Sequence, residues 1–210
     1  MINYKKTLIF SLLISFLISY QAYAFGEIAS EIAKDAGEIA EDIGKKVGVG
    51  ATASEIDKDA ELALSQLLKS SPAAEKLDKT AKGILIFPKI LKAGLGVGGE
   101  HGEGALHENG KTVAYYDIVA GSYGFQIGAQ SFGYALFFMD DKGLKHLIDS
   151  HEGWQVGVGP SLVMVDKGMA KTITNTTVTE SVYVFSFSQK GLMAGAGLQG
   201  SKISKIHPEK

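Results

Sequence analysis

The chain has 210 residues, 45% of them hydrophobic, with 23 acidic side chains against 21 basic ones and a formal net charge of −2. Every basic residue other than His is Lys. Without Arg, the chain lacks the planar guanidinium group that commonly binds phosphates and base edges. Nucleic acid is therefore not an expected partner. Cys is absent as well, which excludes disulfides, thiolate catalysis and Cys-based metal sites.

The first 24 residues have the order of a secretory signal peptide. Lys5 and Lys6 precede an uncharged apolar run over residues 7–19, and Ala22 and Ala24 provide the small residues of a cleavage site. This run is shorter than the ~20 residues of a membrane-spanning helix. We expect cleavage after Ala24, a mature protein of net charge −4, and export to the periplasm or secretion. An uncleaved N-terminal anchor is the alternative.

Residues 25–50 predict an amphipathic helix followed by a glycine joint. Ile28, Ile32, Ile39 and Ile43 lie on one stripe at 100° per residue, with acidic residues opposite. Two interpretations of the stripe remain open. It binds a helix of a partner protein or of a second copy, or it covers the protein's own sheet.

Residues 51–210 predict one domain in which helices precede strands. Thr52 and Glu55 have the spacing of a capping box, and a further helical run extends from Ala73 to Lys82. Asn109-Gly110 predicts a tight hairpin, and Asp140 or Asp141 caps a helix that reaches about Ser150. Alternating or short apolar runs predict strands at Ile84–Phe87, Ala93–Glu100, Gly104–Glu108, Lys111–Val119, Ser122–Gln130, Tyr134–Met139, Ser161–Val165, Val182–Ser188 and Leu192–Leu198.

Glycine alternates with apolar residues in two of these strands, at 94–98 and 195–197. Alternation in a strand strips one face of side chains. Either a curved sheet or small barrel packs a helix there, or a ligand such as an acyl chain lies there. The predicted fold is therefore α+β, with N-terminal helices packed on a curved, Gly-rich antiparallel β-sheet or small barrel.

The sequence lacks motifs of catalysis or cofactor binding in the surroundings that such sites require. Residues 94–99 fit the spacing G-x-G-x-x-G, but poor helix sequence follows them, so no dinucleotide is expected. A G-x-S-x-G nucleophile motif is absent. One interpretation of His101 and His107 is a metal site that Glu100, Glu103 and Glu108 complete. The favoured interpretation is a polar rim in contact with solvent. We expect no enzyme activity, no cofactor and no metal.

A lysine-rich segment follows the predicted helices. Lys82, Lys89 and Lys92 flank an apolar stretch that contains Phe87. Ammonium groups beside apolar side chains suit a phospholipid headgroup region, so these four residues are the candidate lipid-binding site. The alternative is a buried strand with solvated lysines at its ends.

Four blocks carry a family resemblance: AKGILIFPKILKAGLGVGGEHGEGAL (81–106), YYDIVAGSYGFQIGAQSFGYALFFM (115–139), GWQVGVGPSLVMVDKG (153–168) and VYVFSFSQKGLMAGAGLQGSKISKI (182–206). Together they resemble the SYLF domain. The resemblance implies an α+β domain with a curved antiparallel sheet and no known catalytic activity. It also implies binding of anionic lipids in some members and of actin filaments in others.

The sequence thus predicts a non-enzymatic phospholipid-binding module of the cell envelope or secreted space. A membrane lipid is the expected partner, and actin is a partner only if the protein is delivered into a host. The alternative is a structural or self-associating envelope protein that uses the isoleucine stripe as its contact.

Overall fold

The computed structural model describes residues 50–165, 170, 173, 178–191 and 201–210. The predicted signal peptide, the isoleucine stripe at residues 28–43 and the predicted strand at 192–198 lie outside these residues. The described elements are α1 (Ala53–Ser70), α2 (Pro72–Asp78), β1 (Gly83–Glu108), β2 (Lys111–Phe138), α3 (Asp141–Asp149), β3 (Trp154–Gln155), β4 (Leu162–Met164), β5 (Val182–Gly191) and β6 (Lys202–Ile206). Among the described helices, none has both the length and the apolar character that crossing a bilayer requires.

Helix α1 begins at the predicted capping box. The Thr52 hydroxyl accepts from the Glu55 backbone N–H at 3.3 Å, and the Glu55 carboxylate accepts from the Thr52 N–H at 2.9 Å. Helix α2 ends at Asp78, earlier than predicted, because Thr80 and Ala81 both donate to the Leu77 carbonyl. The chain then turns directly into the sheet.

Strands β1 and β2 form one long antiparallel hairpin. Their pairing runs from Gly83 opposite Phe138 to Glu108 opposite Lys111. The turn is the predicted one, with φ of 52° at Asn109 and 73° at Gly110. The sequence predicted six short strands here. The structure instead continues through the expected breaks with local register shifts, since a bulge absorbs an extra residue without ending a strand.

The sheet is mixed and strongly curled, which confirms the α+β class and the predicted curvature. Its order is β3-β6-β2-β5-β4, and β1 pairs with β2. Strands β4 and β5 are parallel, whereas the other described pairs are antiparallel. The sequence analysis did not identify β3 or β6. Both are short, and β6 is held at the edge of β2 by pairing rather than by its own periodicity.

Glycines at close backbone contacts allow the sheet to curl strongly. A Cβ on Gly104 would lie 2.3 Å from the Ile86 carbonyl oxygen, and one on Gly102 would lie 2.8 Å from the Lys89 carbonyl oxygen. Two segments of β1 therefore approach so closely that only hydrogen fits between them. At these positions the bare glycine face packs against the protein's own backbone.

The curled sheet has an apolar cluster on each face. The inner face, on which the two segments of β1 meet, also packs α3 and Trp154; its largest members are Leu85, Phe87, Ile90, Leu106, Phe132, Tyr134, Leu136 and Phe138. The outer face is covered by α1 and α2; its sheet members include Ile84, Ile86, Ala105, Ala135, Phe137 and Phe185. The predicted packing of helices on the sheet is thus present on the outer face.

Candidate ligand-binding site

Two of the predicted lipid-binding residues are exposed, one just before β1 and one within it. Lys82 precedes the first residue of the strand, and its backbone N–H donates to the Phe138 carbonyl at 2.7 Å. Lys89 follows Pro88 in the bulged part of the strand, and its side chain is exposed. Neither ammonium group forms an ion pair within the described residues. Both are available to an external anion.

The other two predicted residues face inward. Phe87 is completely buried in the inner cluster. The Lys92 side chain is 12% exposed and lies 3.8 Å from the Glu100 carboxylate. The register shift between Phe87 and Ile90 explains both positions, because it places Phe87 and Ile90 on the same, inner face. Lys92, two residues after Ile90, then faces the same side. The four residues therefore do not form the single surface that the sequence predicted.

The α2 lysines have partners of their own among the described residues. Lys79 pairs with Glu75 at 2.9 Å on the exposed face of α2, and such a pair contributes little to stability. Lys76 donates to the Ile173 carbonyl at 3.3 Å. A cleft of about 320 Å³ opens beside Lys76 and is lined by Leu77, Met139 and Glu180 among others. This cleft mixes charged and apolar side chains.

A group of buried polar residues lies on the inner face, and the sequence analysis missed it. We call it the inner polar cluster; it consists of Lys92, Glu100, Gln130, Tyr134 and Ser201. Lys92 and Gln130 are directly opposite each other on β1 and β2. The Ser201 hydroxyl donates to Glu100 Oε1 at 2.9 Å. Burial raises the pKa of Tyr134, and the nearby Glu100 carboxylate adds to that rise.

Two side-chain atoms of this cluster have no hydrogen-bond partner among the residues that the structure describes. They are Gln130 Nε2 and the Tyr134 hydroxyl, and both are buried. Buried polar groups in folded proteins are nearly always hydrogen-bonded, so such atoms need an explanation. Lys92 and Gln130 interrupt otherwise apolar runs, which is a visible signal in the sequence. Their shared direction depends on the bulge, however, and no periodicity reveals it.

A second polar network holds α1 on the hairpin. Asp57 accepts from the Thr112 hydroxyl at 2.8 Å and from the Tyr115 hydroxyl at 3.0 Å. Glu103 accepts from the Ala51 N–H at 3.0 Å, and the Ala53 N–H donates to the Glu209 carbonyl at 2.7 Å. These contacts are structural, because they satisfy the first turn of a helix and tie it to β1 and to the end of the chain.

Two residues of the metal site considered above have other partners. Glu100 binds Ser201, and Glu103 binds the Ala51 backbone. The imidazole of His107 is buried, and its Nε2 atom lacks a hydrogen bond. Among the described residues, no group of three or more His, Asp or Glu side chains has an arrangement suited to a metal ion.

One family model matches the chain. Its description is Ysc84, Las17-binding protein actin regulator, and the match covers residues 119–209. That stretch holds most of β2, helix α3 and strands β3 to β6. No curated protein matches the chain. The match confirms the resemblance to the SYLF domain over these residues.

Proposed function

Because residues 119–209 match the SYLF family of binding domains, we propose that this protein is a non-enzymatic phospholipid-binding module of the cell envelope or secreted space. The observation that carries the proposal is the pair of exposed ammonium groups of Lys82 and Lys89, neither of which forms an ion pair within the described residues. Anionic lipid surfaces attract exposed lysines with about 1 kcal/mol for each residue.

The apolar part of the contact differs from the one the sequence suggested. Phe87 is buried, but Pro88 and Leu91, on either side of Lys89 and Ile90, are half-buried. Lysines beside partly exposed apolar side chains suit the boundary between headgroups and acyl chains. Lys82, Lys89, Pro88 and Leu91 are thus the residues that support a peripheral contact with a membrane.

Flotation of the purified protein with liposomes tests this proposal. We expect binding to vesicles that contain anionic lipid, weaker binding in high salt, and weaker binding to neutral vesicles. The double variant Lys82→Glu/Lys89→Glu should lose at least about 30-fold in affinity, since two favourable charges are removed and reversed. Lys145→Glu/Lys205→Glu is the matched control, because both lysines are exposed elsewhere, and it should lose much less.

Equal losses in the two double variants would contradict a localised lipid contact. Absence of flotation from every vesicle would contradict the lipid function itself. A concentration-dependent oligomer that disappears in Ile32→Asp/Ile39→Asp would then support the alternative of a self-associating protein. The name of the matched family also gives actin as a possible ligand, which this protein meets only if it is delivered into a host.

A further inference from the structure

The inner polar cluster has more free donors than free acceptors. Lys92 carries three N–H groups, and its 3.8 Å separation from Glu100 is too long for a hydrogen bond. The Gln130 amide nitrogen and the Tyr134 hydroxyl are buried without partners. On the acceptor side, Glu100 Oε1 is already bound by Ser201. The donors therefore fit a ligand that is rich in acceptor oxygens.

The cluster also contains one charge of each sign. Lys92 and Glu100 are both largely buried, with side chains 12% and 3% exposed. A ligand of net charge would leave an uncompensated charge in this interior, which is costly. A zwitterion adds no net charge. Its anionic group can accept from Lys92, and its cationic group can donate to the second oxygen of Glu100.

The cluster reaches the surface at Lys92, whose side chain is 12% exposed. Gly94, two residues beyond Lys92 on the same face of β1, is half-buried. Because Gly94 has no side chain, a small group can approach Lys92 from the surface.

We propose that the inner polar cluster binds a zwitterionic group that combines a phosphate with a primary ammonium, the chemistry of a phosphoethanolamine headgroup. Lys92, Gln130 and Tyr134 donate to the phosphate oxygens. Glu100 accepts from the ammonium group while Ser201 holds its other oxygen. Where the ligand is a lipid, this inference rests on the proposed function and gives it a headgroup preference.

Titration calorimetry with the purified protein tests the site. The probes are dihexanoyl phosphatidylethanolamine and dihexanoyl phosphatidylglycerol, each kept below its micelle-forming concentration, and free glycerophosphoethanolamine, whose phosphodiester keeps the zwitterionic charge of the headgroup. We expect the ethanolamine lipid to bind about tenfold more tightly than the glycerol lipid, which lacks the ammonium group. Equal binding of the two lipids, or no binding of any probe, would overturn the proposal.

The free headgroup separates two sources of the same chemistry. Binding of glycerophosphoethanolamine as tight as that of the lipid supports a site for a small soluble zwitterion. Tighter binding of the lipid supports a site for one lipid molecule. Either result keeps the assignment of the cluster, whereas phosphatidylglycerol as the preferred probe contradicts it.

Tyr134→Phe is the key variant, because it removes one unpartnered oxygen and leaves the ring in the core. We expect it to weaken binding of the ethanolamine probe about tenfold, as should Lys92→Met. Tyr116→Phe is the control, since its hydroxyl is also buried without a partner but has Glu108 rather than Glu100 as its charged neighbour. A purely structural role of Tyr134 predicts a changed melting temperature and unchanged affinity.

The flotation experiment keeps the two proposals distinguishable. Lys82→Glu/Lys89→Glu alters surface residues and should leave binding of the soluble ethanolamine probe unchanged. Tyr134→Phe should leave flotation with anionic vesicles unchanged. In the unchanged protein, absence of probe binding with intact flotation contradicts the inner site alone, and absence of flotation with intact probe binding contradicts the surface contact alone.

Discussion

Single residues decide which way the functional side chains point. The register shift between Phe87 and Ile90 spans Pro88 and Lys89. Pro lacks the N–H that a continuous ladder needs, and a bulge accommodates it. Beyond the bulge the alternation is inverted, so Lys92 enters the interior. A prediction from regular alternation places Lys92 on the wrong side.

Glycine 104 gives a direct test of the curl. Its Cβ would lie 2.3 Å from the Ile86 carbonyl oxygen, which is backbone and cannot rotate away. We expect Gly104→Ala to lower the free energy of unfolding by about 1–3 kcal/mol, the usual cost of overpacking. Urea denaturation measures the change. Gly121→Ala is the control, because nothing lies within 4 Å of its Cβ position, and a cost as large as that of Gly104→Ala would contradict the close approach.

At the scale of elements, α1 is attached to the hairpin by both apolar and polar contacts. Ile56, Ala60, Ala63 and Leu67 are buried against the outer face. Asp57, on the flank of this stripe, accepts two hydrogen bonds from side chains of β2. The apolar stripe provides the affinity of helix for sheet, and the carboxylate selects one position along β2.

Removal of the Asp57 carboxylate should loosen this attachment. We expect Asp57→Ala to cost about 2 kcal/mol, because two hydrogen bonds to a charged acceptor are lost. Thermal unfolding measures the effect, and Asp59→Ala, an exposed carboxylate on the same helix, is the matched control. In a double-mutant cycle with Tyr115→Phe the losses should be less than additive. Strict additivity would show that the Tyr115 hydrogen bond contributes nothing.

At the scale of the whole molecule, burial couples stability to pH through His107. Burial lowers the pKa of this imidazole, and the carboxylates of Asp57 and Glu61 on α1 offset part of that shift. The unfolded chain takes up a proton near pH 6.5, whereas the folded protein resists it. His107 therefore leaves stability intact above about pH 6.5 and lowers it as the pH falls toward the folded pKa.

Melting temperatures between pH 8 and pH 5 test this coupling. We expect His107→Gln to reduce the loss of stability below about pH 6.5 compared with the unchanged protein. His151→Gln, which alters an exposed imidazole, should keep the original pH profile. An identical profile for all three proteins would show that His107 is not the responsible group.

The class of the fold was accessible from the sequence because its signals are local. The capping box at Thr52, the hairpin at Asn109-Gly110 and the cap at Asp140 each depend on residues within four positions, and all three are present. The apolar stripe of α1 follows from the period of a helix alone. The change from helices to strands near residue 83 was likewise visible in the local sequence pattern.

The tertiary structure decided three features: the directions of Lys92 and Phe87, the inner polar cluster, and the placement of β6. Side-chain direction in a long strand depends on every bulge that precedes the residue, and a shift of one position exchanges the two faces. Contact between Glu100 and Ser201 joins residues 101 positions apart in the chain. Local patterns define elements, whereas register and curvature determine which polar groups meet, and only the folded sheet sets those two.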